Sequence, residues 1–538
     1  MPIRKLLVAN RGEIAVRVFR TCRELGIATV AVAAPDDLRS LHARTADETV
    51  EIASYLDARE HVRAAEETGA DAVHPGYGFL AESADFATAV EAAGLVWIGP
   101  PSHALRLGGD KAAAKRSARK AGVPVLPDGR PEEIGYPLLV KAALGGGGRG
   151  LRVVRRPDEL DEALAAAERE AAAAFGAGTL YCERYLERPR HIEVQLLADA
   201  DGAVVALGER DCSVQRRHQK VLEESPSPAV GPELRTRLFE AAAAFARAVG
   251  YRNAGTVEFL VDGDDFFFLE LNGRIQVEHP VTELVTGMDL VAWQLRLADG
   301  ASRTGLEPEL RGHAVEARLY AEDPQRFLPQ TGRIERLRLP AGIRVDSGVD
   351  EGDEVGLSYD PLLAKLIAHG PDRAAALDRL ASALAETEVG GVTTNLPFLR
   401  WLVAHPVVRA GEATTAFLVE HPPLSQPPRW NAAQPWRTPW RLNLPAPHPA
   451  PPPDVAAAAE LAGGAETEAT VVAPMPGTVI RVEVGPGDDV RPRQPLVVLE
   501  AMKMEIPVHS PFAGTVRAVH VAGGERVASG AVLVELES

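Results

Sequence analysis

Between Thr256 and Glu278 the chain spaces carboxylates, amides and a cation at a regular interval. The apolar runs Thr256 to Val261 and Phe266 to Leu271 flank Asp262-Gly263-Asp264-Asp265, predicting a β-hairpin with Glu258 on one strand and Glu270 on the other. A two- or four-residue loop would turn these carboxylates to opposite faces, whereas an odd loop or a bulge sets them directly across from each other; we expect the second. Two facing carboxylates make a hard oxygen site suited to Mg²⁺ or Mn²⁺ bridging nucleotide phosphates. Beyond Glu270 the polar residues recur at every second position as Asn272, Arg274, Gln276 and Glu278. In an extended chain all five face one way. A half-solvated strand would also alternate, but acid, amide, cation, amide and acid in this order can hold a metal, a small anion and a base together.

Gly145-Gly146-Gly147-Gly148-Arg149-Gly150 sits between two predicted strands, Tyr136 to Lys141 and Leu151 to Val154. Glycines let backbone N–H groups wrap a phosphate, and Lys141 beside them supplies a point charge. A flexible linker would be glycine-rich too, although it would rarely join two clean strands; the missing Gly-Lys-Ser/Thr excludes a P-loop. Glu209 to Lys220 holds four Arg and Lys residues, which on composition alone read as a solvated face. Near the C-terminus, Glu500-Ala501-Met502-Lys503-Met504 lies between two copies of one pattern, offset by thirty-seven residues: Gly477-Thr478-Val479 against Gly514-Thr515-Val516, and Leu496, Val497 and Leu499 against Leu533, Val534 and Leu536. Short alternating runs of this kind predict two halves of one flattened β-barrel with Lys503 on the turn that joins them. A surface lysine is the ordinary reading; flanked by two methionines at an exposed tip, it also suits covalent modification.

The elements that must hold these groups follow from the rest of the chain. At 538 residues it exceeds a single hydrophobic core, and its net charge of −17 disfavours nucleic acid and anionic membranes as partners. Three scattered cysteines, Cys22, Cys182 and Cys212, fit a reducing compartment, and no stretch approaches a membrane span or signal peptide, so we expect a cytoplasmic protein. Ile3 to Ala9, Glu13 to Leu25 closed by Gly26, and Ala28 to Ala33 read as strand, helix and strand, the opening of a parallel sheet. His74-Pro75-Gly76-Tyr77-Gly78-Phe79-Leu80 then looks like a ligand loop at a strand's C-terminal end. Helices are expected over Asp158 to Phe175, Pro232 to Val249, Asp372 to Leu384 and Leu396 to Ala404. Pro445 to Gly464 is Pro- and Ala-rich, a tether that if extended spans on the order of 60 Å.

Ala9 to Ala15, His74 to Leu80, Glu209 to Lys220 and above all Glu270-x-Asn272-x-Arg274-x-Gln276-Val277-Glu278-His279-Pro280 resemble biotin carboxylases. Ala501-Met502-Lys503-Met504 resembles the biotinyl carrier domain rather than the related lipoyl domain. The resemblance implies an α/β protein: an N-terminal parallel α/β domain (1–110), an ATP-grasp domain with a glycine lid (111–305), a C-terminal α+β domain (306–444), a linker (445–467) and an all-β biotinyl domain (468–538). It implies ATP contacts from Lys111, Lys141, Gly147, Gly148, Glu183, Leu186, His191 and His218. Glu258, Glu270 and Asn272 would bind the metal, and Lys220, Arg274, Gln276 and the Val277 backbone would bind bicarbonate. Glu278 would be the general base, Arg344 the biotin-binding arginine, and Lys503 the site of covalent biotin. Leu144 and Gly273 replace residues more usual in the family, the second change loosening the backbone, and the loop from Gly129 to Gly135 is short.

Read this way, Glu278 deprotonates bicarbonate for attack on the γ-phosphoryl of ATP, and Arg274 or Arg344 stabilises negative charge on biotin as the carboxyl group is transferred. The lid excludes water. The resemblance further implies biotin protein ligase and a separate carboxyltransferase subunit as partners, with a homodimer or larger hetero-oligomer. Acetyl- or propionyl-CoA is the expected acceptor and methylcrotonyl-CoA an alternative. An ATP-grasp ligase acting on another carboxylate and a carrier scaffold with a dead ATP site are further readings; the intact Glu258, Glu270, Arg274 and Glu278 speak against the scaffold.

Overall fold

The structure is a computed structural model that describes residues 2–142, 152–175, 180–216, 219–302, 306, 308–423, 468–501, 504–528 and 530–537. Five parallel strands open it, in the order Glu48–Glu51, Ala28–Ala33, Lys5–Val8, Ala72–His74, Val96–Trp97. The predicted first helix runs Gly12–Leu25 and stops at Gly26, whose φ of 70° closes it in the left-handed region. The order of strands reverses between Lys5–Val8 and Ala72–His74, and the chain leaves both at their C-terminal ends, the crevice where open α/β sheets take ligands. There the Asn10 side-chain amide donates to the carbonyls of Pro75 (2.8 Å) and Tyr77 (2.7 Å). A Cβ on Gly76 would stand 2.8 Å from the Asn10 amide nitrogen, so only glycine lets the two loops lock.

Eight antiparallel strands form the central sheet, in the order Asp265–Asn272, Asn253–Asp262, Arg190–Ala198, Val204–Arg216, Gln219–Ser225, His313–Tyr320, Leu362–Gly370, Arg344–Ser347. Leu222 pairs with Ala317, so strands on both sides of residue 305 share one sheet. The helix Pro232–Ala248 packs Leu238, Phe245 and Ala246 against its apolar side, and the helices Arg373–Glu386 and Leu396–Ala404 close the far end around Leu380, Phe398 and Leu402. A smaller sheet, Asp128–Gly129, Leu180–Arg184, Leu138–Ala142 and Arg152–Val154, carries the residues that flank the glycine run.

The hairpin closes Asp262 on Asp265, and its ladder shifts by one residue between Phe259↔Phe268 and Glu258↔Glu270. This bulge brings the two carboxylates directly across from each other, the expected register. The strand ends at Asn272, however, and the continuous alternation expected to Glu278 does not persist as strand: Gly273 to Val277 bend, and Glu278 caps the helix His279–Thr286.

The C-terminal duplication folds as two four-stranded sheets that obey the offset seen in the sequence. Gly477 pairs with Val527 and its counterpart Gly514 with Val490; a Cβ on either would strike the carbonyl of Glu500 or of Glu537 respectively. Pro495–Ala501 pairs with Met504–His509 just as Val532–Glu537 pairs with Glu468–Val472. No described helix is long and apolar enough to cross a membrane.

Strand Asn253–Asp262 runs so close over buried Tyr251 that a Cβ on Gly255 would stand 2.0 Å from the tyrosine oxygen. We expect Gly255→Ala to cost about 2 kcal/mol or more by overpacking, read as a lowered thermal unfolding midpoint.

Candidate active site

Lys220, on the strand Gln219–Ser225, sends its ammonium to three carboxylates: Glu193 at 2.5 Å, Glu278 at 2.6 Å and Glu258 at 2.8 Å. Strand pairing explains the convergence, since Glu193 lies directly across from Glu258 and Lys220 enters from the same sheet two strands away. Taking these charges out of water would be prohibitive without such pairing. Burial lowers the tendency of Lys220 to hold its proton, but the three carboxylates outweigh it and raise its pKa well above the ordinary value. Glu278 is buried between Lys220 and Arg318, whose guanidinium lies 3.0 Å from its second oxygen. Burial alone would raise the Glu278 carboxyl; Lys220 and Arg318 prevail and hold it well below the usual carboxylate range.

Glu258 is equally committed. One oxygen accepts from Lys220, from the Asn272 amide (2.9 Å) and from the Gln276 amide (2.8 Å), while the other lies 2.7 Å from His191. Glu270, across the ladder, makes no hydrogen bond or ion pair among the described residues, and burial and the charge of Glu258 raise its pKa. A shielded carboxylate facing another and lacking its own cation is a fit for a divalent metal, which Glu258 and Glu270 would hold together. Asn272 fits that role less well, because its oxygen accepts from Arg274 at 2.8 Å. His191, Glu193, Glu258 and Glu193, Cys212, Glu278 also form ligand-sized groups, but the Lys220 ammonium already bridges them.

The remaining sequence candidates divide. The Nε of Arg274 is buried without a hydrogen-bond partner and lies 3.4 Å from the Glu82 carboxylate, an ion pair that an incoming anion would share. Gln276 is held between Glu258 and Arg210, and the Val277 carbonyl accepts from Lys365 at 2.9 Å. The side chain of Glu183 is not open to an adenine: it is buried, binding both Lys115 and Lys141. Leu186 is half-buried just beyond it. Lys111 begins the helix Lys111–Lys120 and acts on Glu270 through its charge. Gly147, Gly148, His218 and Lys503 lie outside the described residues, as do Leu144 and the linker.

Arg344, the expected biotin-binding arginine, binds Glu283 (2.7 Å) and, two residues along its own strand, Asp346 (2.7 Å). The arginine at the base is Arg318, which sequence reasoning passed over and which also binds Glu223 at 2.6 Å. Two charged residues, Glu316 and Arg318, at alternate positions of an otherwise apolar strand were the available signal, since a buried charge demands a partner. Arg210 was missed in the same way. It is fully buried and ties Glu193, Gln195, Thr256, Gln276 and Thr282 together, so Arg210, like buried Arg216, belongs to no solvated face. At Gly273, Leu105 fills the space where a Cβ would stand, its Cδ2 2.8 Å away.

Comparison with known proteins places this geometry. Residues 2–105 match the family model "Biotin carboxylase, N-terminal domain", 110–304 "Carbamoyl-phosphate synthase L chain, ATP binding domain", 316–420 "Biotin carboxylase C-terminal domain" and 469–536 "Biotin-requiring enzyme". The chain is 47% identical to the biotin carboxylase of Halalkalibacterium halodurans over 78% of its own length and 98% of the relative's. It is 50% identical to the mitochondrial methylcrotonoyl-CoA carboxylase subunit alpha of Glycine max over 77% of its length, and spans 60% of that protein. Among solved structures, the biotin carboxylase domain dimer of the Hydrogenobacter thermophilus 2-oxoglutarate carboxylase, in complex with MgADP, ADP and bicarbonate, superposes with a TM-score of 0.76 at 44% identity, covering 78% of this chain and 98% of that one.

Burial and the charges of Lys115 and Lys111 push Lys141 down to about 7. Only its charged form attracts a phosphate, so nucleotide affinity should be greatest below that pH and fall by up to about tenfold per unit toward about pH 9. Calorimetric titration with ATP should register the fall, and Lys141→Arg should flatten it.

Proposed function

Because the chain belongs to the biotin carboxylase family, we propose that it uses ATP and bicarbonate to carboxylate biotin attached to Lys503 of its own C-terminal barrel. The single observation that carries this reading is the convergence of Lys220 and Arg318 on Glu278 beside the facing pair Glu258 and Glu270. Glu258 and Glu270 would hold Mg²⁺, which when bound neutralises charge on the nucleotide phosphates. Arg274 and Lys220 are the donors for bicarbonate. Glu278 is deprotonated throughout the neutral range, and as its two cations turn toward incoming anions its basicity rises, which suits it to take the bicarbonate proton. Arg344, with Arg318 beside the base, supplies the positive charge for the oxygen of the acceptor's ureido group, and bound biotin supplies the nitrogen that receives the carboxyl.

The acyl acceptor belongs to a separate carboxyltransferase subunit, which the α-subunit relative supports. That relative favours methylcrotonyl-CoA over the acetyl- and propionyl-CoA expected at first. The dimer formed by the Hydrogenobacter domain supports a homodimer through the catalytic body. Biotin protein ligase is the partner that would load Lys503. For the compartment we retain the cytoplasm on three buried, unpaired thiols, although the soybean relative is named as mitochondrial.

ATP hydrolysis by the purified chain should require bicarbonate and rise with free biotin. Arg318→Gln should lower that stimulated rate by about 100-fold or more, the scale of losing a charge-stabilising donor. Lys503→Arg should leave it intact while abolishing carboxyl transfer to acyl-CoA with the partner subunit. Bicarbonate-independent hydrolysis would instead support a ligase acting on another carboxylate.

A further inference from the structure

Met475 lies between Pro474 and Pro476 and is fully buried, yet its neighbours are not the core of the barrel that contains it. It packs on Leu328 of the catalytic body, with Leu357 of the body and Ile506 of the barrel half-buried around it. The prolines stiffen the segment and hold Met475 extended, and an unbranched thioether fills an irregular apolar notch well. A methionine rigidly displayed on a free barrel would be exposed; here Leu328 and Leu357 cover it. Beside this contact is a cavity of about 480 Å³, walled on the body by Arg11, Tyr77 and Tyr359 and on the barrel by Thr478, Glu500 and Arg526. Its size falls within the ~300–1,000 Å³ range of small-ligand sites. Its body wall is the reversal crevice of the parallel sheet, and its barrel wall ends three residues before Lys503.

We infer that Met475 is the anchor by which the barrel docks on the catalytic body of its own chain, in the notch formed by Leu328 and Leu357, and that carboxylation of the barrel passes through this docked state. The inference rests on the proposed reaction and adds its partner surface. One methionine in a notch is a weak contact, as a carrier that must leave again requires. The tether raises the barrel's effective concentration to the millimolar range, enough to fill a weak site in cis.

The test uses the full biotinylated chain and compares two rates: incorporation of labelled bicarbonate into the protein's own biotin, and ATP hydrolysis stimulated by free biotin. Leu328→Asp should slow the first about tenfold or more and leave the second within about twofold. Equal incorporation in Leu328→Asp and wild type would overturn the inference. Should Leu328→Asp lose both rates through misfolding, Met475→Gln decides, with biotin occupancy of Lys503 checked by mass spectrometry: slowed incorporation at full occupancy supports the anchor, and an unchanged rate rejects it. A wild-type rate from an equimolar mixture of Glu278→Gln and Lys503→Arg chains would show delivery between chains and reject the cis assignment. Failure of wild type itself to incorporate label would reject the proposed reaction instead.

Discussion

One ammonium group shared by three carboxylates organises the catalytic body. Lys220 meets Glu193, Glu258 and Glu278 within a sheet whose interior excludes water, and none of the four could be buried alone. Arg210 and Arg318 are added on either side, so this network sets Lys220, Arg210 and Arg318 against Glu193, Glu223, Glu258 and Glu278. Such a network fixes rotamers that chain entropy would scatter. It also makes each member's proton affinity a property of the group, with Glu223 raised by burial to about 7 while Glu278 is held low by its two cations.

The sheet supplies this network by register. Glu193 opposes Glu258 and Glu258 opposes Glu270, three acids in a row on adjacent strands, an arrangement that like charges forbid unless cations separate them. Lys220 and His191 serve between the first two. Between the second pair no described side chain forms an ion pair with Glu270, although Lys111 acts on it through its charge, and a divalent metal would complete the pattern that the strands lay down.

Much of this was legible in the sequence because it depends on local rules. The hairpin loop and the position of its two acids demanded a bulge, Gly26 announced a helix end, and the thirty-seven-residue offset announced the symmetric barrel. What escaped depends on non-local contact. Arg318 sits on a strand beside an acid that gives no hint of its partner, and only pairing across the sheet brings it to Glu278. Likewise, the polar groups that alternate after Glu270 do converge, but not as a strand to Glu278: the chain bends after Asn272, and Glu278 meets Lys220 from the N-cap of a helix.

The internal symmetry of the barrel has a mechanical result. The pairing of Leu499 with Ile506 is repeated as that of Leu536 with Ala469, so the turn bearing Lys503 is the twofold image of the place where the chain enters and leaves. A twofold image lies across the axis, and Glu468, where the described barrel begins, therefore lies at the pole remote from the strand ends Ala501 and Met504. Rotation about that end would carry a group on Lys503 along a radius as long as the barrel itself, so small pivots at the base would become long strokes at the tip.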